Sequence, residues 1–556
     1  LIWLYTFYQS VLASPFFGYF TVDENYIADS GVFLWYGNTP RCLDWPATPS
    51  LLTFFVLFGV SVVYQIGTNI GEVNGMMGIF EQFDWQAYHY FLSRKEFLLA
   101  GRTIQLVVVG IILILFIRFI YQSRHDLLEG TTRHVLVFIS ITSYVIWFNA
   151  PVLRPEAISG SLFMYLLAQL VFTERITRQQ AFGFAAMFAV ILAERLLFVF
   201  VAPILLAGIF FALPQARWKT TFQAFLLVIG IFILLCPFLI TDPLVVLKSF
   251  IGGILAKMQD KPMATLFNME FIRIYFMNPV NYLVIFLCLP GAWVLFKRRK
   301  FFYLILLGNW LVFLFLVLRS AKIYDTHVLP AGVLTIIVIA LGIGFVANSI
   351  GVYGKYLALV LTTIIIGSNL TEYVKFQQRS HTPSTVEAAY TYILSLPDQS
   401  RLLIHPDLEL FVPKTKECLQ REFLQNRDSL KMADKLNYLL GNKGNSKIAA
   451  DQLPYVTRSF AFEDERLYEI QYQILLKYYD EPKLKKAFDI DVYLDNTELA
   501  SHSVPTIPAI EDFKQGKYDY FITDIRLDDR EPIQVFTNDL HAPYYCYKAE
   551  IPISTN

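Results

Sequence analysis

Asp23 and Glu24 stand side by side in Thr21-Val-Asp-Glu-Asn-Tyr-Ile-Ala-Asp29, just beyond the end of the first apolar run. Low dielectric raises the pKa of a carboxylate and disfavours its charged form, so an acid pair is costly to keep against lipid. Such a pair can exchange protons or hold a polar ligand. The plainer alternative is a cap on a juxtamembrane helix, since acids suit helix N-termini. Asp29, Arg41 and Asp44 follow closely, so this stretch reads as a site at a membrane face and not as a connector.

The membrane follows from composition. The chain has 556 residues, of which 55% are hydrophobic and 16% aromatic, too apolar for a soluble enzyme of this size. Lys plus Arg equals Asp plus Glu at 46 each, so no net charge points to nucleic acid. Apolar runs able, or nearly able, to cross roughly 30 Å of hydrocarbon lie near 1–18, 102–120, 134–150, 157–173, 180–193, 196–213, 221–240, 282–296, 301–318, 328–347 and 355–370. These make about 11 transmembrane helices in a polytopic α-helical membrane protein. One further run, Leu51 to Ile66, sets the orientation of all the later ones. If it does not cross, the basic turns holding Arg124 and Arg133, Arg175 and Arg178, Arg217 and Lys219, and Lys297 to Lys300 all face the cytoplasm, as the positive-inside tendency requires. We therefore expect Leu51 to Ile66 to lie in or dip into the outer interface.

On that orientation the outer face collects Asp23 to Asp44, Arg154-Pro-Glu156, Glu194-Arg195 and Lys322-Ile-Tyr324-Asp-Thr-His327. Ionisable groups from separate helices gathered on one face predict a shared cavity. After about residue 371 charged residues become frequent and no spanning run follows, so residues 372–556 read as a soluble C-terminal α/β domain beside a membrane domain of residues 1–371. Helices are expected over Thr385 to Leu396, Leu424 to Leu440 and Glu465 to Tyr479, and strands over Arg401 to His405, Tyr518 to Thr523 and Pro532 to Thr537. The five Cys show neither metal nor redox spacing. No glycine-rich nucleotide-binding loop occurs, which removes support for a nucleotide-fuelled mechanism.

Several pieces, taken in order, resemble the GT-C superfamily of membrane glycosyltransferases, in particular the branch of protein O-mannosyltransferases and lipid A aminoarabinose transferases. They are Asp23-Glu24 at the acidic motif, Trp45-Pro46-Ala-Thr-Pro49 where that branch often has His-Pro-Pro, Arg154-Pro155-Glu156 at an Arg-Pro-acid signature, and Tyr324-Asp-Thr-His327-Val-Leu-Pro330 near an Arg-Tyr-Leu-Leu-Pro-like segment. His-Pro is replaced by Trp45-Pro46, and the Arg expected before Tyr324 is absent, with Lys322 and His327 nearby. The likeness covers roughly residues 1–370.

The resemblance implies an inverting glycosyltransferase in the plasma (inner) membrane, multi-pass, with active site and tail extracytoplasmic. The donor would be a polyprenyl-phosphate sugar and the acceptor a lipid, glycan or protein. Such chemistry needs a base for the acceptor hydroxyl and positive charge for the departing phosphate. Asp23 is then the base, with Glu24 orienting it, binding the acceptor or tuning its pKa. Arg154, Arg195, Lys322 and His327 would serve the donor phosphate, and Asp29, Arg41, Asp44, Trp45, Glu156 and Tyr324 the substrates. Against this, the basic groups at helix ends also snorkel to lipid head groups or pair with Glu156, Glu194 and Asp325. Tyr26, Phe33, Trp35, Tyr36 and Trp45 could stack on sugar faces, but an interfacial aromatic belt is the preferred reading of them. Asp29 and Asp44 could join Asp23 around a divalent cation, which some of these enzymes use; spacing selects no metal site and none is assigned. The rival readings are a lipid or sugar transporter or flippase, for which inverted repeats are lacking, and a catalytically inactive scaffold relative.

Overall fold

The structure is a computed structural model that describes residues 20–36, 48–68, 75–92, 94–147, 149–237, 240, 281–298, 300–319, 329–382, 384–405, 408, 412–424, 465–479, 486–492, 510–538 and 541–549. These fall into two compact units. One holds the described residues of Val22–Leu57 and Glu96–Gln378, the other those of Ala13–Thr21, Phe58–Lys95 and Arg379–Asn556.

Apart from the short helices Tyr144–Trp147 and Ile510–Lys514, the main helices in chain order are α1 (Phe20–Phe33), α2 (Thr48–Thr68), α3 (Gly75–Leu92), α4 (Arg94–Gln122), α5 (Thr131–Thr142), α6 (Pro155–Phe172), α7 (Arg178–Glu194), α8 (Ala202–Ala212), α9 (Arg217–Leu235), α10 (Asn281–Lys297), α11 (Phe301–Arg319), α12 (Leu329–Ser349), α13 (Gly351–His381), α14 (Thr385–Ile393) and α15 (Glu465–Lys477). Among the described residues six are long and apolar enough to cross a membrane: α2, α4, α6, α9, α12 and α13. Leu196–Ala212, Phe286–Lys297 and Phe301–Phe315 are shorter apolar helical stretches. The chain is thus a polytopic helical membrane protein with a sheet-containing C-terminal region.

Two expected spans are broken. The run 134–150 is not one helix: α5 stops at Thr142, where the Thr142 and Ser143 hydroxyls bond back to the carbonyls of Phe138 and Ser140, both at 2.7 Å, and Ser143 turns extended. Such back-bonding offers the backbone an alternative to the helix ladder. The run 196–213 begins as a 3₁₀ turn, Leu196–Val201, and becomes α-helical only at Ala202, with Pro203 in its first turn. That position suits Pro, whose missing N–H has no partner there anyway. The first run, 1–18, lies outside the described residues.

α10 and α12 cross with no side chain between them. A Cβ on Gly291 would lie 1.9 Å from the Val338 carbonyl oxygen, and one on Gly342 would lie 2.1 Å from that of Leu287. Small residues permit such approach, which drives helix association where lipid competes equally for apolar side chains.

In the second unit, five strands, β1 (Arg401–Ile404), β2 (Asp489–Val492), β3 (Tyr520–Thr523), β4 (Gln534–Asn538) and β5 (His541–Lys548), form one sheet of order β2-β1-β3-β5-β4. β1 runs parallel to β2 and β3, while β5 is antiparallel to β3 and β4. α14 packs on one face with Ala389 and Ile393 against Leu402, Ile404 and Ile522. The mixed α/β reading of the tail therefore stands, with β2 and β5 unforeseen and Leu424 to Leu440 outside the described residues beyond Leu424.

The juxtamembrane helix α3 belongs to this unit and not to the first. Lys477 of α15 bonds Asp84 at 2.8 Å, and the Tyr478 ring lies edge-on to Trp85 at 5.3 Å. α13 runs from Gly351 to His381, across residue 371.

Candidate active site

The acid pair sits within α1, not in a loop. Phe54 of α2 positions that helix. It fills the space left by two glycines: a Cβ on Gly31 of α1 would fall 2.5 Å from Phe54 Cβ, and one on Gly101 of α4 would fall 2.2 Å from its Cζ. Three helices are thereby pinned around one buried ring. Trp35, just past α1, stacks on Phe55 at 4.3 Å and donates its indole N–H to the Phe55 carbonyl at 2.8 Å. Its ring is thus committed to holding α1 on α2.

Arg102 follows the pinned Gly101, and its guanidinium grips Glu24 with both prongs: Nε to Oε1 at 2.7 Å and Nη2 to Oε2 at 2.5 Å. Glu24 Oε1 also accepts the Leu153 N–H at 2.6 Å. One turn along α4, Gln105 donates to the Val152 carbonyl and accepts the Arg154 N–H at 3.1 Å. The turn 149–154 therefore hangs from α1 and α4 by its backbone. That turn sets the N-cap of α6, Arg154, with Pro155 as the first helical residue.

Beyond the cap, Glu156 faces Arg195 at 3.3 Å. Arg195 caps the C-terminus of α7, and Glu194 before it accepts the Ser50 hydroxyl on both oxygens, at 2.9 and 3.1 Å. Thr48, at the start of the same α2, meets Cys236 Sγ at 3.2 Å. Glu24, Arg102, Arg154, Glu156, Glu194 and Arg195 each expose 8% or less. Six ionisable groups from four segments thus form one sealed, interlinked cluster.

Of the residues expected to act together, the structure joins Glu24, Arg154, Glu156 and Arg195. Asp23 lies next to Glu24 in α1, with its side chain outside the described residues. Asp29 is half-buried further along the helix. Arg41, Asp44, Trp45, Lys322, Tyr324 and His327 lie outside the described residues. Sequence reading missed Arg102, Gln105 and Ser50. Its available signal was an Arg and a Gln three residues apart inside an apolar run, where polar groups are expensive and face inward by default.

Both Glu24 oxygens are engaged, by the Arg102 guanidinium and the Leu153 N–H. Its geometry is that of a holder. Among the described residues no group of three or more His, Cys, Asp or Glu is arranged to hold a metal ion.

The basic turns gather elsewhere in the same unit. Arg298 bonds Asp126, Lys300 lies 3.5 Å from Glu174, and Arg133 donates to the Ser123 carbonyl at 2.7 Å.

The sequence matches no family model and no curated protein. By fold the chain is similar to a solved structure described as ArnT from Cupriavidus metallidurans bound to undecaprenyl phosphate, with a TM-score of 0.43 and 10% identity, covering 98% of this chain and 96% of that one.

Proposed function

We propose that this protein is an integral-membrane glycosyltransferase that moves a sugar from a polyprenyl-phosphate carrier to an acceptor on the outer face of the membrane. The observation that supports it most is the sealed cluster joining the acid-pair helix to the Arg154-Pro-Glu156 and Glu194-Arg195 helix ends. In the reaction the bond from the anomeric carbon to the phosphate oxygen breaks, its electron pair leaving with the lipid phosphate. The acceptor oxygen forms the new bond on the opposite face and gives its proton to Asp23. Glu24, fixed by Arg102, sets the position of its neighbour in α1. Arg154 and Arg195, with Lys322 and His327, receive the phosphate charge; guanidinium can do so bidentately. Arg41, Asp44, Trp45 and Tyr324 contribute to substrate binding, and the tail governs acceptor access. A glycan, lipid or protein acceptor satisfies this scheme.

The test is to incubate the purified protein in nanodiscs with a panel of lipid-linked sugars and to read release of the lipid phosphate. Removing a general base costs about 10²–10⁴-fold in rate, so Asp23→Asn should lose at least that order of turnover while still binding the carrier. Turnover close to wild type would remove Asp23 as the base.

The orientation places α2 along the outer interface and the basic turns in the cytoplasm. Thr68→Cys should react with an impermeant thiol reagent from the outer side and Arg124→Cys only from the cytoplasmic side. Thr68→Cys reacting only from the cytoplasmic side would reverse the scheme.

A further inference from the structure

The basic turns are not neutralised alike. Arg298 has Asp126 and Lys300 has Glu174, an acid for each cation. The turns that lead into α7 and α9 carry Arg175, Arg178, Arg217 and Lys219, and none of these four meets a carboxylate among the described residues. The Arg178 guanidinium donates to the Gln223 side chain at 3.1 Å and covers the Phe182 ring at 5.2 Å, while Arg217 donates to the Leu213 carbonyl at 2.8 Å. The backbone holds the two turns together, the Ile176 N–H donating to the Ala212 carbonyl at 3.1 Å. Arg178 and Arg217 also open their helices, at the positive end of each peptide dipole, and neither first turn contains an acid. Four cations are thus gathered without a counter-charge from the described chain.

An apolar track begins at the same place. α9 is long and apolar enough to cross a membrane, so its first turn stands at one membrane surface. Its buried face, Thr220, Ala224 and Val228, packs on α7. On the opposite side Trp218, Phe222, Phe225, Leu226 and Ile229 recur at helical spacing and are all exposed, Trp218 at 80%. The Trp218 ring meets Phe210 edge-on at 4.7 Å, which steadies the indole at the head of the track, between Arg217 and Lys219 in sequence.

We propose that this face binds an anionic phospholipid, its phosphate diester received by Arg178, Arg217 and Lys219 and one acyl chain lying along Phe222 to Ile229. Guanidinium meets phosphate with paired N–H donors, and the Lys219 ammonium adds a point charge. Arg175 adds to the field around the head group. A zwitterionic lipid offers the same chains and the same phosphate but brings its own cation into a cluster that repels it, so the preference is for net negative charge in the head group. Nothing in this site depends on the transfer reaction.

The test uses the full chain in phosphatidylcholine nanodiscs that contain a minor fraction of lipid brominated near the head-group end of its acyl chains, either phosphatidylglycerol or phosphatidylcholine. Bromine quenches an indole that it touches, and comparison with Trp218→Phe isolates the Trp218 share among the 8 Trp of the chain. Brominated phosphatidylglycerol should quench that share at a lower mole fraction than brominated phosphatidylcholine. Lys219→Gln, a change at an exposed position with no partner to lose among the described residues, should weaken the preference about fivefold, the value of one cation near an anionic lipid surface. Arg178→Gln, Arg217→Gln and Lys219→Gln together should abolish it. Lys355→Gln, which removes an exposed cation near the start of α13, should leave it unchanged. Equal quenching by the two lipids, a preference that survives the triple change, or an equal loss with Lys355→Gln would overturn the site. Inorganic phosphate at millimolar concentration should not relieve the quenching; relief by phosphate would show that these turns take a soluble anion and would overturn the lipid assignment.

Discussion

Two charged networks sit in this molecule, and they are built differently. In the tail, Arg421 bridges Asp489 at 2.6 Å and Asp491 at 3.2 Å, Tyr518 donates to Asp491 at 2.7 Å, and Lys414 meets Glu422 at 2.7 Å. These contacts fasten residues 416–424 to the edge strand β2, and water reaches a third of the Arg421 side chain. The membrane-unit cluster is sealed. Its pairs bind a backbone turn from distant helices, Glu24 reaching Leu153 across 129 residues of chain. Sealing charge is a poor way to gain stability, because desolvation offsets the attraction between the partners. The tail network staples an edge. The membrane cluster fixes the geometry of one turn and the helix that begins there.

That contrast is exposed most strongly at Glu24 and Arg102. Arg102→Met strands a buried carboxylate and should cost about 3–5 kcal/mol, the loss typical of a broken buried pair. Replacing both partners with apolar residues, Glu24→Leu with Arg102→Met, should restore much of the thermal stability in detergent yet leave lipid-phosphate release defective. A double variant that regains both would make the pair a mere staple. In the tail the corresponding change, Arg421→Met, should lower unfolding stability modestly, by about 1 kcal/mol as for partly exposed pairs. Lipid-phosphate release should persist. A loss of release at matched folding would tie the tail network to the chemistry.

The smallest effect is expected at Asp519. Burial would push its carboxyl up, but the Arg401 N–H, the Arg401 guanidinium and its charge together hold it below the usual carboxylate range. A carboxyl depressed in the folded state stabilises above its unfolded pKa, about 3.9, and that stability fades as pH falls through the lower folded value. Asp519→Asn should therefore make β1 exchange its amide hydrogens faster at pH 7, with the gap to wild type closing on acidification. A gap that stays constant down to strongly acidic pH would show that the charge is not what holds the strand.

The helices with continuous apolar runs were readable from sequence, because a span of lipid thickness leaves a long signature. The break at Ser143 was not, since it depends on hydroxyls choosing backbone carbonyls, a local contest that hydropathy does not register. In the tail, Arg401 to Ile404 and Tyr520 to Thr523 could be read as short apolar runs. β2, Asp489–Val492, carries two Asp and looks polar because it is an edge strand whose acids face Arg421. At the candidate site the acid pair and the two Arg signals could be read as motifs. Arg102 and Gln105 were masked by the apolar run around them, and Phe54 gave no signal, since its role exists only between Gly31 and Gly101. The thiols needed burial as well: Cys418 and Cys546 are buried and free, and burial pushes the Cys418 thiol up to about 12.

The glycine crossing of α10 and α12 bears on how this sequence can change over time. Where two helices meet through side chains, a bulkier residue on one can be matched later by a smaller one on the other, and a lineage can drift through the intermediate. At Gly291 and Gly342 the obstacle is the partner's main-chain carbonyl, which no substitution can shrink. Even alanine at either position must push the helices apart along their length. Drift can therefore rework the surface around this joint, but these two positions have no viable single step away from glycine.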